Sequence, residues 1–136
     1  MTDSRTVGAL MTRDPIVVNA DAPIEEAARL LDAHHIHGLP VVDTWGALVG
    51  VVSQTDMLRA RSTEDLWSRW PGLHVRHLMS SPALTIAADA GVEEAVRLME
   101  HAHVHRLVVL EPGGRVPLGI ISTSDLVHAM LAGPAR

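Results

Sequence analysis

An internal repeat is the feature of this sequence that most constrains its fold. At an offset of about 68 residues, the segment LMTRDPIVVNADAPIEEAARLLDAHHIHGLPVVD, from Leu10, aligns with LMSSPALTIAADAGVEEAVRLMEHAHVHRLVVLE, from Leu78. The later segments GVVSQTD, residues 50–56, and GIISTSD, residues 119–125, align after a slip of one residue, which a hairpin loop absorbs. We therefore divide the chain into a first repeat (residues 7–60), a linker (61–74) and a second repeat (75–131).

Both repeats predict the same order of secondary structure. A short helix ends at Met11 or Met79, and a short apolar run follows it. The next segment has the apolar spacing of an amphipathic helix, at Ile24, Ala27, Ala28 and Leu31 and again at Val92, Ala95, Val96 and Met99. Two strands then precede a closing helix, which we expect to begin near Thr55 or Ser124. The order β-α-β-β-α belongs to the α/β (α+β) class, and its apolar strands indicate sheets covered by helices.

Composition excludes several classes of function. The formal charge of −5 and the lack of a basic run argue against nucleic acid as a partner. The chain has no cysteine, which excludes disulfides and thiolate chemistry. No apolar stretch approaches the length of about 20 residues that spans a membrane. The polar start, MTDSRTVGAL, does not resemble a signal peptide, so we expect a cytoplasmic protein.

A polar motif, S-x-[ST]-D, stands in each repeat where a strand meets the closing helix. It comprises Ser122, Thr123, Ser124 and Asp125 in the second repeat, and Ser53, Thr55 and Asp56 in the first. A helix N-terminus offers unpaired N–H groups, and an aspartate there can accept hydrogen bonds from both hydroxyls of a ribose. The alternative is purely structural, with Thr55 or Ser124 as the helix N-cap and the aspartate as a partner of the helix dipole.

These motifs, in this order and twice at one spacing, resemble a tandem pair of CBS domains, the module named after cystathionine β-synthase. The resemblance rests on LMTRDPIVV and LMSSPALTI, on the two EEA helices, on HGLPVVD and HRLVVLE, and on GVVSQTD and GIISTSD. It implies two β-α-β-β-α units that pack through their sheets about a pseudo-twofold axis. It also implies regulatory binding of AMP, ADP, ATP or S-adenosylmethionine in clefts between the units, with no cofactor required, and a homodimer.

The resemblance further implies two groups of ligand-binding residues. One group lies around Asp125 and comprises Ser122, Thr123, Ser124, His105, Arg106, Thr12, Pro15, Ile16 and Val17. The other lies around Asp56 and comprises Ser53, Thr55, His37, Ser80, Pro82, Ala83 and Leu84. In similar modules the aspartate holds the ribose, and the first strand of the opposite unit supplies part of the wall around the base. Ordinary core packing would also explain the apolar residues of these groups.

The two expected sites differ in positive charge. Arg106 stands where similar modules place a His-Arg pair on ligand phosphates, and the first repeat has Gly38 at the matching position. An arginine fork suits phosphate oxygens, so we expect the Asp125 site to be the better nucleotide site. The Asp56 site would prefer a ligand with less phosphate charge or stay empty. A surface ion pair with a nearby glutamate is the alternative for Arg106.

Nine histidines are many for 136 residues, and most of them fall in the clusters AHHIH, EHAHVH and LHVRH. Imidazole binds metals, but no cysteine and no H-E-x-x-H helix accompanies these histidines. Two of the clusters occupy the same position in the repeats, at a helix end, where a histidine suits the dipole and can cap carbonyls. We therefore expect no metal site.

No group of residues in the sequence predicts an enzyme. Asp56 and Asp125 are the repeated carboxylates, and we expect them in separate sites rather than as a catalytic pair. The expected function is an energy or metabolite sensor that acts on an unknown protein partner. Two alternatives remain: a ligand-free dimer that serves as a structural interaction module, and a metal-binding regulator that uses the histidine clusters.

Overall fold

The computed structural model describes residues 5–133, so the first four residues of the polar N-terminus lie outside it. By their contacts the described residues form two units. The central unit is Ile16–Ala83, and the split unit joins residues 5–15 to residues 84–133. None of the helices within residues 5–133 has the length and apolar character needed to cross a membrane.

The central unit contains a three-stranded sheet and its helices. Its elements are β2 (Val18–Asn19), α2 (Ile24–His34), β3 (Gly38–Val42), β4 (Leu48–Ser53), α3 (Gln54–Ser62), α4 (Glu64–Ser68), a 3-10 turn (Trp70–Gly72) and α5 (Val75–Leu78). Strand β2 runs parallel to β3, and β3 pairs antiparallel with β4. The predicted linker, residues 61–74, contains the end of α3, helix α4 and the 3-10 turn, and Trp70 packs against the core of this unit.

The split unit contains a four-stranded sheet and its helices. Its elements are α1 (Val7–Leu10), β1 (Thr12–Arg13), β5 (Thr85–Ala87), α6 (Val92–Ala102), β6 (Arg106–Leu110), β7 (Pro117–Ser122) and α7 (Thr123–Met130). Strand β5 is parallel to β6, while β6 and β1 are both antiparallel to β7. Strands followed by helices in both units confirm the expected α/β (α+β) class.

Each unit combines pieces of both repeats. Strand β1 comes from the first repeat but pairs with β7 of the second, where Thr12 lies opposite Ile120. In the central unit, Ser80 of the second repeat forms a bridge with Val51 of β4. The initial segment of one repeat thus completes the sheet of the other.

Two glycines make this pairing possible. A Cβ atom at Gly119 would lie 2.5 Å from the carbonyl oxygen of Thr12, and one at Gly50 would lie 2.7 Å from that of Ser80. Such separations are too short for any side chain, so only glycine allows the initial segments to approach the sheets. The glycine that begins each repeated GVVSQTD or GIISTSD motif therefore has a steric role.

The amphipathic helices bury the face that their spacing predicts. Ile24, Ala27 and Leu31 of α2 are buried in the central core, and Val92, Ala95 and Met99 of α6 are buried in the split core. Both helices end at a histidine in the left-handed conformation, His35 with φ 52° and His103 with φ 55°.

Candidate functional site

The repeated S-x-[ST]-D motif folds as a capping box in the split unit. Ser122 is the N-cap of α7, and its hydroxyl accepts a hydrogen bond from the backbone N–H of Asp125 at 3.2 Å. In return, Oδ2 of Asp125 accepts from the backbone N–H of Ser122 at 2.8 Å and from its hydroxyl at 3.0 Å. These bonds hold the carboxylate at the first turn of the helix, in a fixed orientation.

The central unit repeats this geometry at Asp56. Its Oδ2 accepts from the backbone N–H of Ser53 at 2.7 Å and from the Ser53 hydroxyl at 2.9 Å. The expectation that Thr55 or Ser124 caps the helix is wrong, because each closing helix begins one residue earlier, at Gln54 or Thr123. The first serine of the motif reaches the N3 backbone N–H, so the cap falls there.

The two carboxylates differ in their remaining contacts. Nη1 of Arg59 lies 3.4 Å from Oδ1 of Asp56, and Nη2 of Arg59 donates to the carbonyl of Leu78 at 3.0 Å. Asp56 is 6% exposed and is the one buried polar or charged side chain within residues 5–133. Asp125 is half-buried, and within the same range its Oδ1 makes neither a hydrogen bond nor an ion pair.

Sequence reasoning missed Arg59. The signal was present, because an arginine three residues after an aspartate in a helix lies on the same face. Its second contact, with the end of α5, depends on the initial segment of the second repeat and was not visible in the spacing. At the matching position after Asp125 stands His128, which is exposed.

Arg106 lies beside the second-repeat motif. It is the cross-strand partner of Ser122 between β6 and β7, so their side chains project from the same face of the sheet. Its guanidinium group forms no hydrogen bond or ion pair with any residue in the described range 5–133, and the alternative ion pair with a glutamate is therefore not formed there. Gly38 pairs with Ser53 at the matching place, which leaves that position without a cation.

The histidines before β3 and β6 tie the sheet to the helix N-terminus through their backbones. The carbonyl of His105 accepts from the N–H of Thr123 at 2.9 Å, and the carbonyl of His37 accepts from that of Gln54 at 2.9 Å. The ring of His37 also lies 3.0 Å from the side-chain oxygen of Gln54. The ring of His105 is exposed.

The expected wall residues divide between the units. Thr12 and Pro15 belong to the split unit with Asp125, and Thr12 is exposed on the strand that pairs with β7. Ile16 and Val17, expected in the same site, belong to the central unit. Around Asp56, the residues of the central unit are Ser80, Pro82 and Ala83, whereas Leu84 belongs to the split unit.

The histidine clusters lie at helix ends, where the repeat pattern predicts them. His34 and His101 stand in the last turns of α2 and α6, and His35 and His103 follow as their C-caps. Within residues 5–133 no three histidine, aspartate or glutamate side chains come together in a way that could hold a metal ion.

Comparison with known proteins gives one family. The family model of the CBS domain matches twice, over residues 7–63 and 75–132. A CBS domain-containing protein of Dictyostelium discoideum is 31% identical over 92% of this chain and 90% of its own length. The inosine-5'-monophosphate dehydrogenase of Methanocaldococcus jannaschii is 30% identical over 87% of this chain, which spans 22% of that enzyme.

Solved structures share the fold. A structure of CBSX2 in complex with AMP has a TM-score of 0.81 and 33% identity, over 93% of this chain and 96% of that one. The CBS domain pair of protein MJ0100, in complex with 5'-methylthioadenosine and S-adenosyl-L-methionine, has a TM-score of 0.78 and 25% identity, over 93% and 99%. Two family matches on one chain, with capping boxes at corresponding places, lead to one conclusion: this chain belongs to the CBS domain family and carries two CBS domains in tandem.

Proposed function

We propose that this chain is a regulatory module that binds an adenosine-containing ligand at Asp125 and acts as an energy or metabolite sensor. One observation carries the proposal. Asp125 is held by Ser122 through one carboxylate oxygen, while the other oxygen has no partner within residues 5–133. An oriented carboxylate with an open oxygen, next to an unpaired arginine, suits a ligand that has both hydroxyls and phosphate.

The ribose would bind to Asp125. Its vicinal hydroxyls are donors, and the open Oδ1 can accept from them without breaking the capping box on Oδ2. Because the capping box already fixes the carboxylate, binding costs little side-chain entropy. Two hydroxyls stand just before Asp125 in the sequence, that of Thr123, which is half-buried, and that of Ser124, which is exposed. Both can contact the ligand as well.

The phosphate would bind to Arg106. Its guanidinium stands on the same sheet face as Ser122 and has no partner to give up within the described part of the chain. Charge-assisted hydrogen bonds to phosphate are stronger than neutral ones, so Arg106 favours a charged ligand. The exposed ring of His105, one residue earlier, can add a further donor.

The base would lie against Thr12 and Pro15, which belong to the same unit as Asp125. Their backbone groups and the Pro15 ring form the wall that we assign to the Asp125 site. The related complexes support an adenine ligand, since CBSX2 was solved with AMP and MJ0100 with 5'-methylthioadenosine and S-adenosyl-L-methionine.

A thermal-shift experiment on nucleotide-stripped protein tests the proposal. AMP, ADP, ATP and S-adenosylmethionine are added to the wild type, to Asp125→Asn and to the control Asp89→Asn, which changes an exposed aspartate. A ligand at about 100 times its dissociation constant raises the melting temperature by an amount on the order of 5–10 °C. We expect this shift in the wild type and the control but not in Asp125→Asn. Equal shifts in all three proteins would rule out Asp125 as the ribose site.

We propose that the protein acts in the cytoplasm and that it regulates a partner without catalysing a reaction. Asp56 and Asp125 belong to different units, and each is held by the first serine of its own motif. A ligand changes what the module presents to its protein partner only through its different affinity for two states of the module.

We also propose a homodimer. Helix α7 and its C-cap residue expose an apolar stripe at i, i+3 and i+4, with Val127 at 62%, Met130 at 73% and Leu131 at 82% exposure. A second copy of the chain would cover this stripe. Light scattering after size exclusion measures the state directly. A dimer that Met130→Lys converts to monomer supports the proposal, and a wild-type monomer at high concentration rejects it.

The same apolar stripe favours a second candidate function, a ligand-free interaction module. In that case the capping boxes would serve only the helices. The thermal-shift experiment separates the two candidates, since an interaction module would show no shift with any adenosine ligand.

A further inference from the structure

The two repeated aspartates are already engaged to different extents. Asp56 has contacts at both carboxylate oxygens, with Ser53 at Oδ2 and with Arg59 at Oδ1. We propose that Arg59 takes the place of a ligand at Asp56, so that each chain binds one adenosine-containing ligand, at Asp125. The binding of that one ligand at Asp125 rests on the proposed function, whereas the closure of the Asp56 site by Arg59 is a separate property.

Asp56 has too few free acceptor positions on its carboxylate to bind a ribose. Two ribose hydroxyls need acceptor positions on the carboxylate that face the ligand. At Asp56 the Ser53 backbone and hydroxyl use Oδ2, and the Arg59 guanidinium lies against Oδ1. The residue is only 6% exposed, which leaves little of the carboxylate open to an incoming ligand.

Arg59 contacts two groups at once, although its side chain is 53% exposed, and a ligand at Asp56 would have to displace both contacts. One guanidinium nitrogen pairs with Asp56 at 3.4 Å, and the other donates to the carbonyl of Leu78 at 3.0 Å. That carbonyl belongs to the last turn of α5, where no intrahelical donor is available. Displacement by ribose would replace a charged pair on a buried carboxylate with neutral hydrogen bonds and would free the Leu78 carbonyl.

The second repeat lacks this arrangement. His128 stands three residues after Asp125, where Arg59 stands after Asp56, and it makes no ion pair within the described residues. The sheets differ in the same way, since Arg106 lies opposite Ser122 in the second repeat and Gly38 lies opposite Ser53 in the first. The positive charge of Arg106 therefore favours a phosphate ligand in the second repeat, whereas the positive charge of Arg59 in the first repeat is paired with Asp56.

Isothermal titration calorimetry counts the ligands. Two probes are used: AMP, and 5'-methylthioadenosine, which carries the same ribose hydroxyls without phosphate. The proteins are the wild type, Arg59→Met, the double variant Arg59→Met with Asp56→Asn, and Arg29→Met as the matched control. Arg29 is exposed in the same unit and has no ion pair or hydrogen bond within residues 5–133.

The expected result is one ligand per chain for the wild type and the control. Arg59→Met should bind a second molecule, more readily with 5'-methylthioadenosine, and the double variant should return to one. Circular dichroism establishes that each variant is folded. Arg59→Gln, which keeps a donor for the Leu78 carbonyl, replaces Arg59→Met if the latter does not fold.

Each contrary result identifies which proposal fails. Two ligands on the wild type, or one on the folded Arg59 variants, would overturn the closure by Arg59 and leave the proposed function standing. No ligand on the wild type, with binding to Arg59→Met that Asp56→Asn abolishes, would reject the function of Asp125 and support the closure. No binding to any of the proteins would overturn both.

Discussion

Gly119 of β7 lies so close to Thr12 of β1 that a Cβ atom at Gly119 would stand 2.5 Å from the Thr12 carbonyl oxygen. The same Cβ would lie 2.7 Å from Sδ of Met11, which is buried in the split core. We predict that Gly119→Ala lowers the free energy of unfolding by about 1–3 kcal/mol, because β1 must move away from the sheet. Urea unfolding measures the change.

Gly72→Ala is the control for that substitution. A Cβ atom at Gly72 meets no atom within 4 Å, so we expect its stability to change little. If Gly119→Ala proved as stable as Gly72→Ala, the close pairing of β1 with β7 would be wrong.

The capping box predicts unequal effects for two neighbouring serines. Ser122 caps α7 and contacts both the backbone and the carboxylate of Asp125, whereas Ser124 is exposed inside the first turn. We expect Ser122→Ala to cost about 0.5–2 kcal/mol of stability and Ser124→Ala to cost much less. Thermal unfolding of the two variants side by side provides the measurement. A larger loss for Ser124→Ala would place the cap at Ser124.

Arg106 should distinguish ligands by their phosphate. We predict that Arg106→Gln weakens the binding of AMP by about 10-fold or more and leaves the affinity for 5'-methylthioadenosine nearly unchanged, since only AMP offers phosphate oxygens to the guanidinium. Calorimetry with both ligands tests this. Arg97→Gln, which changes an exposed arginine of α6, serves as the control. An equal loss of affinity for the two ligands would mean that Arg106 does not bind the phosphate and instead maintains the structure of the site.

His77 should make the stability depend on pH. Its Nδ1 accepts a hydrogen bond from the backbone N–H of His74 at 2.9 Å. Desolvation lowers the pKa of His77 below its ordinary 6.5, and the positive charges of Arg76, His74 and Arg69 lower it further. The ring is exposed, so solvent screens these charges. The unfolded chain then binds the proton more tightly, and stability should fall as the pH drops through 6.5 towards the lower folded pKa.

NMR titration of the His77 ring measures this pKa directly in the folded protein and in urea. We expect the folded midpoint to be the lower of the two. His77→Asn, whose side-chain oxygen can accept from His74 without titrating, should lose less stability than the wild type between about pH 7.5 and 5.5. A folded midpoint at or above the unfolded one would contradict the prediction.

Local patterns in the sequence determined the secondary structure and the kind of site. The spacing at Ile24, Ala27 and Leu31 predicted α2 and its buried face, because helical periodicity needs only neighbours in sequence. The S-x-[ST]-D motif predicted a polar helix start for the same reason. Its cap was misplaced by two residues, from Ser122 to Ser124, because several residues of the motif can serve as caps.

Only the tertiary structure decided which segments meet. It pairs Thr12 with Ile120, far along the chain, and it brings Arg59 to the carbonyl of Leu78. Repeats with nearly the same local pattern carry no signal for such contacts, because each initial segment could pair within its own repeat or with the other. The spacing of Asp56 and Arg59 within one helix allows their contact, whereas the second contact of Arg59, with the Leu78 carbonyl, depends on packing.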